Sequence, residues 1–306
     1  MRLFICAPLL LAACSAGGDD ARPVSLIQVT GQIDNKKLNE ASGLARSNRE
    51  PDVYWAINDD GPAVVHALNS NGANLGEVEI AKAKNRDWED IASFTHNGIA
   101  YLAIAYIGDN AGKRKNVTIY VVAEPATSDA KVEIAWRIDY TYPDGPLDAE
   151  ALAVDAAGET IYVLSKRTIP AVLYQLPLMP ASDEVIVATR VAEIVSLPQP
   201  SEREVRDALS SGWSWQPTSM DFSPDGNSAL ILTYAGVNYF PRSADQTWPE
   251  ALQGQAMQLK LGKYENAESI TYAGDSNAAI VTIEKKHAPI LRIDLSLQKD
   301  NKPNSR

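Results

Sequence analysis

Six carboxylates recur at one register of this 306-residue chain: Glu40, Asp87, Glu89, Asp148, Glu150 and Glu268. Each stands two or four residues before an apolar residue, namely Leu44, Ile91, Leu152 or Ile270. A further repeat leads to Met220 through Gln216 and Thr218, and Ser42 and Asn266 fill the remaining places. Alternation by two is a strand pattern, because successive side chains leave a strand on opposite sides. Five strands therefore begin with oxygen-bearing side chains and then enter a core. Carboxylates crowded around one mouth repel one another. Three things relieve that: protonation, pairing with Lys166, Arg167, Lys285 or Lys286, or a hard cation among them. Calcium takes about six to eight oxygen ligands in loose geometry, which such side chains suit. Glu89, Glu150 and Glu268 are expected nearest the ion, with Glu40, Asn58 and Asp109 completing its shell. The competing expectation is a ring of salt bridges and backbone caps that holds the strands in register.

The elements that position these residues repeat as well. An apolar run follows each strand start and ends in a polar cluster: Asn58-Asp59-Asp60, Gly108-Asp109-Asn110, Ser165-Lys166-Arg167, Thr233-Tyr234 and Glu284-Lys285-Lys286. Turn signals such as His96-Asn97-Gly98 and Pro224-Asp225-Gly226 separate the two strands of each pair. A hairpin then returns the second strand's end beside the first strand's start, so both polar sets fall on one rim. The apolar landmarks are 47 to 68 residues apart, and periods near 50 suggest propeller blades. Each repeat has room for four strands, except the last, which has three. Residues 24–33 have strand character and no partner. The expected fold is all-β, a propeller of five four-stranded blades (six the alternative), closed by pairing 24–33 with 289–295. Closure hides sheet edges that would otherwise be exposed. Residues 202–209 are expected as a short helix capped by Ser201, and 246–250 as a second excursion.

Other chemistries have little support. His66, His96 and His287 are the only histidines, and they fall in a strand, a turn and a hairpin loop, so no nucleophilic triad is expected. No glycine-rich phosphate loop and no paired-histidine metal motif occurs. A formal charge of -11 argues against nucleic acid, which demands a basic face.

Residues 1–13 are expected to be a lipoprotein signal peptide and 14–23 a tether, with 24–306 a single propeller domain. Arg2 precedes an apolar stretch that ends in Leu11-Ala12-Ala13-Cys14, which resembles the lipobox cleaved before a lipidated cysteine. Cys6 lies in the segment to be removed, so Cys14 would be the mature chain's only cysteine, engaged with lipid and the membrane. Ser15 stands where resembling lipoproteins carry the aspartate that favours inner-membrane retention. The expected location is the outer membrane, facing the periplasm or the cell surface.

Glu-x-Ser-Gly-Leu, Trp-Glu-Asp-Ile-Ala, Glu-Ala-Leu-Ala, Glu-Ser-Ile-Thr and Ile-Gly-Asp-Asn resemble the strand starts and ends of calcium-binding propellers. The phytase-like esterase propellers, the gluconolactonase group and the calcium-activated nucleotidases (apyrases) are similar in this rhythm, over residues 39–295. The resemblance implies a propeller with a central calcium. Two functions follow as expectations. One is a surface-anchored module that binds a small molecule or protein at the rim. The other is a calcium-dependent hydrolase of phosphoesters, other esters or lactones. In the hydrolase, Glu89 or Glu150 would be the base and Lys166 and Lys285 would receive the anion.

Overall fold

The chain repeats one unit, a hairpin followed by a second hairpin, four times around an axis, and a fifth, three-stranded repeat completes the ring with the first strand of the chain. A computed structural model describes residues 26–207, 214–264 and 266–296. Cys14, the signal segment, the tether and residues 208–209 of the expected helix lie outside the described residues. The first strand, β1 (Ile27–Gln32), precedes all five units. The first blade is β2 (Ala41–Arg46), β3 (Tyr54–Asn58), β4 (Val64–Leu68) and β5 (Asn74–Ile80). The second is β6 (Asp90–His96), β7 (Ile99–Tyr106), β8 (Val117–Ala123) and, after the two-residue β9 (Lys131–Val132), β10 (Ile134–Thr141). The third is β11 (Ala149–Asp155), β12 (Thr160–Ser165), β13 (Ala171–Pro177) and, after β14 (Ile186–Val187), β15 (Thr189–Ile194). Helix α1 (Glu202–Asp207) leads to the fourth, β16 (Pro217–Phe222), β17 (Ser228–Thr233), β18 (Gly236–Pro241) and, beyond α2 (Trp248–Leu252), β19 (Met257–Leu259). The fifth holds β20 (Ala267–Tyr272), β21 (Ala278–Ile283) and β22 (Pro289–Asp294).

The fourth place in the last blade belongs to β1, which pairs antiparallel with β22 and sets Ile27 opposite Ile293 and Gln32 opposite Pro289. The ring is therefore closed by the N-terminal strand, and the fold is a five-bladed β-propeller. The small strands β9 and β14 depart from the simple four-strand expectation. β9 pairs parallel with β5, and β14 with β10, so each straps the outer edge of the preceding blade. That covers backbone groups which an exposed edge would leave open to another chain.

Both faces of every blade are buried, and the core lies between blades. Leu102 and Ile104 of β7 pack towards the first blade with Trp55 and Ile57. The alternate residues Ala103 and Ala105 pack towards the third blade with Leu152 and Val163. This is the period of two seen in the sequence, read on both sides of one sheet. Trp55 is fully buried and its indole N–H donates to Glu124 Oε1 at 3.0 Å. Helix α2 is stopped at its start by a capping box, in which Thr247 and Glu250 satisfy each other's backbone N–H groups.

The opening strands β2, β6, β11, β16 and β20 are the inner edges of their sheets and stand around the axis. Edge strands carry unpaired backbone N–H groups, which need acceptors when buried. Asp90, at the start of β6, supplies them. It accepts from the backbone N–H groups of Leu152 (2.9 Å) and Met220 (3.1 Å) and from the Ser219 hydroxyl (3.0 Å). Asp221 does the same further along, accepting from Thr271 Oγ1 and the Tyr272 N–H, each at 2.9 Å. Gly43 stands beside Asp90 because a Cβ there would meet Ile91 N at 2.8 Å and Asp90 Cα at 2.9 Å.

Candidate cation-binding rim

A small backbone irregularity places the rim side chains. In four of the five opening hairpins the ladder skips one residue, between Ala41 and Gly43, Ala149 and Ala151, Pro217 and Ser219, and Ala267 and Ser269. The skipped residues are Ser42, Glu150, Thr218 and Glu268, the register two residues before the apolar landmark. A β-bulge of this kind leaves its extra residue unpaired and re-aims its side chain. In the second blade Glu89 immediately precedes β6, and its N–H bonds Ala105 O at 2.9 Å.

Ser42, Glu89, Glu150 and Glu268 line a cavity of about 130 Å³ together with Glu40, Asp59, Asp87, Asn110, Lys166, Tyr234 and Glu284, whereas Thr218 is spent on the carbonyl of Ala267, 3.0 Å away. Lys166 is buried and donates to Glu150 Oε1. Tyr234 donates to Glu268 Oε1 at 2.7 Å, and Ser42 donates across the blade junction to Trp88 O at 2.7 Å. Beside the cavity, Arg167 Nε donates to Asp148 Oδ2 at 2.6 Å, and its guanidinium reaches Asn110 Oδ1. Carboxylate oxygens of Glu89, Asp148 and Glu150 lie within 4.8 Å of one another. Glu89 and Asp87 share a hydrogen bond, and Gly108 leaves the room for it: a Cβ there would sit 1.9 Å from Glu89 Oε1.

Burial sets the protonation of this cluster. Desolvation drives Glu89 well above the ordinary glutamate range, and the neighbouring Glu150 and Asp87 add to it. Burial pushes Glu150 up to about 8 with Lys166 opposing, and Glu268 up to about 7 with Lys166 and Tyr234 opposing. Asp59 rises to about 6, from burial and then from Glu40. Desolvation works against the Lys166 charge, but Glu150 and Glu268 outweigh it and hold its pKa above the lysine norm. The directions agree once the groups are counted together. The one ammonium stays charged, and the carboxyls, being in excess, share protons.

Of the expected site residues, Glu40, Glu89, Glu150, Glu268 and Lys166 converge here. Three do not line the cavity. Asn58 is spent as a cap: its Oδ1 accepts from the N–H groups of Asn39 (3.2 Å) and Glu40 (3.1 Å), and its amide donates to Lys37 O. Asp109 is buried and turned to the backbone, accepting from Arg114 N at 2.7 Å. Lys285 is exposed outside the cavity. Asp148, beside the cavity, brings a carboxylate oxygen within 4.8 Å of Glu89 and Glu150, and Tyr234, from the expected Thr233-Tyr234 cluster, lines the cavity itself. A second, larger cavity of about 770 Å³ opens at the other ends of the inner strands, a funnel lined by Arg46, Phe94, His96, Asp155, Asp221 and Trp248 among others. Volume favours the funnel, but the converging carboxyls with displaced pKa values are at the rim, and such groups mark functional sites better than size does.

Neither a protein-family model nor a curated protein matches the chain. Among solved structures, the major allergen Mala s 1 of Malassezia sympodialis is similar, with 11% identity, a TM-score of 0.53, and coverage of 90% of this chain and 98% of that one. The likeness is one of fold. The PQQ-bound aldose sugar dehydrogenase of Streptomyces coelicolor aligns over 88% of this chain and 97% of its own at 12% identity, but its TM-score of 0.41 carries no argument.

Proposed function

We propose that the chain is a lipid-anchored binding propeller whose rim takes a cation, with Ca²⁺ the ion its donors suit. The observation that supports it is an imbalance: among the described residues, seven carboxyl groups and one ammonium line the rim cavity. All the donors are oxygens, as a hard cation prefers. Glu89, Glu150 and Glu268 would hold the ion, with Asp148 within reach of the first two. A bound cation would offset the repulsion among the carboxyls and strengthen recognition of a small molecule or protein at the rim. Because several of these carboxyls carry protons at neutral pH, binding should release protons. Calorimetric titration with Ca²⁺ in two buffers of different ionisation enthalpy tests this, and the two heats should differ. No heat of binding, with a melting curve indifferent to calcium and chelator, would decide for a rim made only of salt bridges.

A second reading, hydrolysis of phosphoesters, other esters or lactones, is favoured by one observation, the close approach of the buried Glu89 carboxyl and the Asp87 carboxyl over Gly108. In it Glu89 donates a proton rather than accepting one, and Lys166, already bound by Glu150, does not receive an anion. Turnover of a panel of esters, lactones and nucleotides, lost in Glu89→Gln, is the result that would select it.

The anchor rests on the sequence Leu11-Ala12-Ala13-Cys14. Cells fed a fatty-acid analogue should label the wild-type chain and not Cys14→Ser. Equal labelling of the two would remove the anchor, and with it the placement at the outer membrane.

A further inference from the structure

We infer that a propeller anchored at Cys14 stands with its funnel towards the bilayer and its acidic rim away from it. The inference rests on the lipid-anchor reading and adds a direction to it. The direction follows from strand register. In the last blade β20 starts at the rim beside Glu268 and ends in the funnel at Tyr272. β21 returns to the rim, and β22 runs back to the funnel side. β1 lies antiparallel to β22 with Ile27 opposite Ile293 and Gln32 opposite Pro289. It therefore begins at the funnel side and climbs to the rim. The ladder holds as far as Leu26, whose carbonyl accepts from Asp294 N at 2.9 Å. Because β1 is the outermost strand of its sheet, Leu26 sits on the outer perimeter of the funnel face.

Twelve residues, Cys14 included, precede Leu26. A segment of that length spans about 40 Å when fully extended and about 20 Å when relaxed as a flexible chain. The strands alone make the propeller about 20 Å tall, before the loops of both faces are added. Turning the rim to the bilayer would take at least about half of the tether's full reach merely to climb the blade edge, with a loss of conformational entropy. Funnel-down, the tether needs no such stretch. Charge acts in the same sense. The rim's excess carboxyls are kept from headgroups that are anionic in many membranes, where they would be repelled. The rim then meets ligands arriving through water, while anything presented by the membrane meets the funnel.

The test uses the full lipoprotein with two reporters. After removal of residues 1–13 the chain has no thiol besides Cys14, so Ala111→Cys and Ala157→Cys each give one labelling site. Both alanines are exposed. Ala111 follows the rim residue Asn110, and Ala157 lines the funnel mouth. Each purified lipoprotein carries a donor dye and is reconstituted into phosphatidylcholine vesicles containing an acceptor-headgroup lipid. Energy transfer from the Ala157 position should be about twice as efficient, the two labels being some 20 Å apart along the axis. Equal transfer, or stronger transfer from Ala111, overturns the orientation and leaves the anchor standing. If neither variant floats with the vesicles, the anchor reading and the orientation fall together.

Discussion

The carboxylate of Asp90 accepts a hydrogen bond from the backbone N–H of Met220, 3.1 Å away and 130 residues further along the chain. One side chain from the second blade thus satisfies inner-edge groups of the third and fourth. The axis of the ring is held by a polar contact where a sandwich would place an apolar one. Asp90 is fully buried, and desolvation raises its pKa well above the aspartate range against the pull of its N–H donors.

Asp90→Ala should therefore be severe. It strands three backbone N–H groups, those of Ile91, Leu152 and Met220, and takes the nearer acceptor from the Ser219 hydroxyl, at roughly 1–3 kcal/mol for each buried group left unpaired. Asp90→Asn keeps one carbonyl acceptor and should cost less than Asp90→Ala. Urea unfolding of both variants measures the order, and equal losses would contradict it.

Gly108→Ala should disturb the rim more than the fold. The added methyl must displace the Asp87 and Glu89 carboxyls, so calcium affinity should fall while the melting temperature changes little. Overpacking costs about 1–3 kcal/mol where neighbours cannot move, and here the contacts are side-chain ends. Unaltered calcium binding would place the ion elsewhere.

Stability should fall as pH rises. Glu268 moves from 4.5 in the open chain to about 7 in the folded one, and Asp221 from 3.8 to about 6, each first by burial. Between those values the folded state binds more protons than the unfolded, so the slope of unfolding free energy with pH is negative. This contribution is complete below about pH 4 and lost on passing pH 6 to 7. Melting curves from pH 5 to 8 should therefore drift downward, and saturating calcium should flatten the drift. A rising melting temperature across that range would refute the assignment.

Lys166→Met removes the only ammonium that lines the cavity among the described residues. Breaking a buried pair from one side typically costs about 3–5 kcal/mol, so the variant should be much less stable in chelator. Calcium should restore most of that loss, since an ion at a hundred times its dissociation constant adds roughly 2.7 kcal/mol. Glu150→Gln should do the reverse, weakening calcium binding and blunting the chelator effect. Thermal melts with and without chelator read both variants.

Much of this was legible in the chain. The alternation before Leu44, Ile91, Leu152, Met220 and Ile270 sets five inner strands, and the unpaired segment before Asn35 announces ring closure, because both depend on local pattern. Four rim glutamates converge for the same reason. What could not be read depends on contacts between blades. Asn58 and Asp109 look like ion ligands by type, yet nearby N–H groups claim them. Asp90 looks like an intruder among small residues, and only the facing inner edges of β11 and β16 explain it. Lys166 and Tyr234 stand in polar clusters that the hairpins bring to the rim, but their particular partners, Glu150 and Glu268, are set by packing between neighbouring strands.

The bulges described above separate two kinds of instruction. Ser42, Glu150, Thr218 and Glu268 take no place in the ladder, so exchanging one for another leaves every neighbouring pair in register. The blades can keep one strand register while these four positions differ, hydroxyl at Ser42 and Thr218 and carboxyl at Glu150 and Glu268, provided each keeps a partner of its own. The number and charge of donors at the mouth are thus set by side chains that the ladder does not read, and changing them calls for a matching change in partners such as Lys166 rather than in the strands.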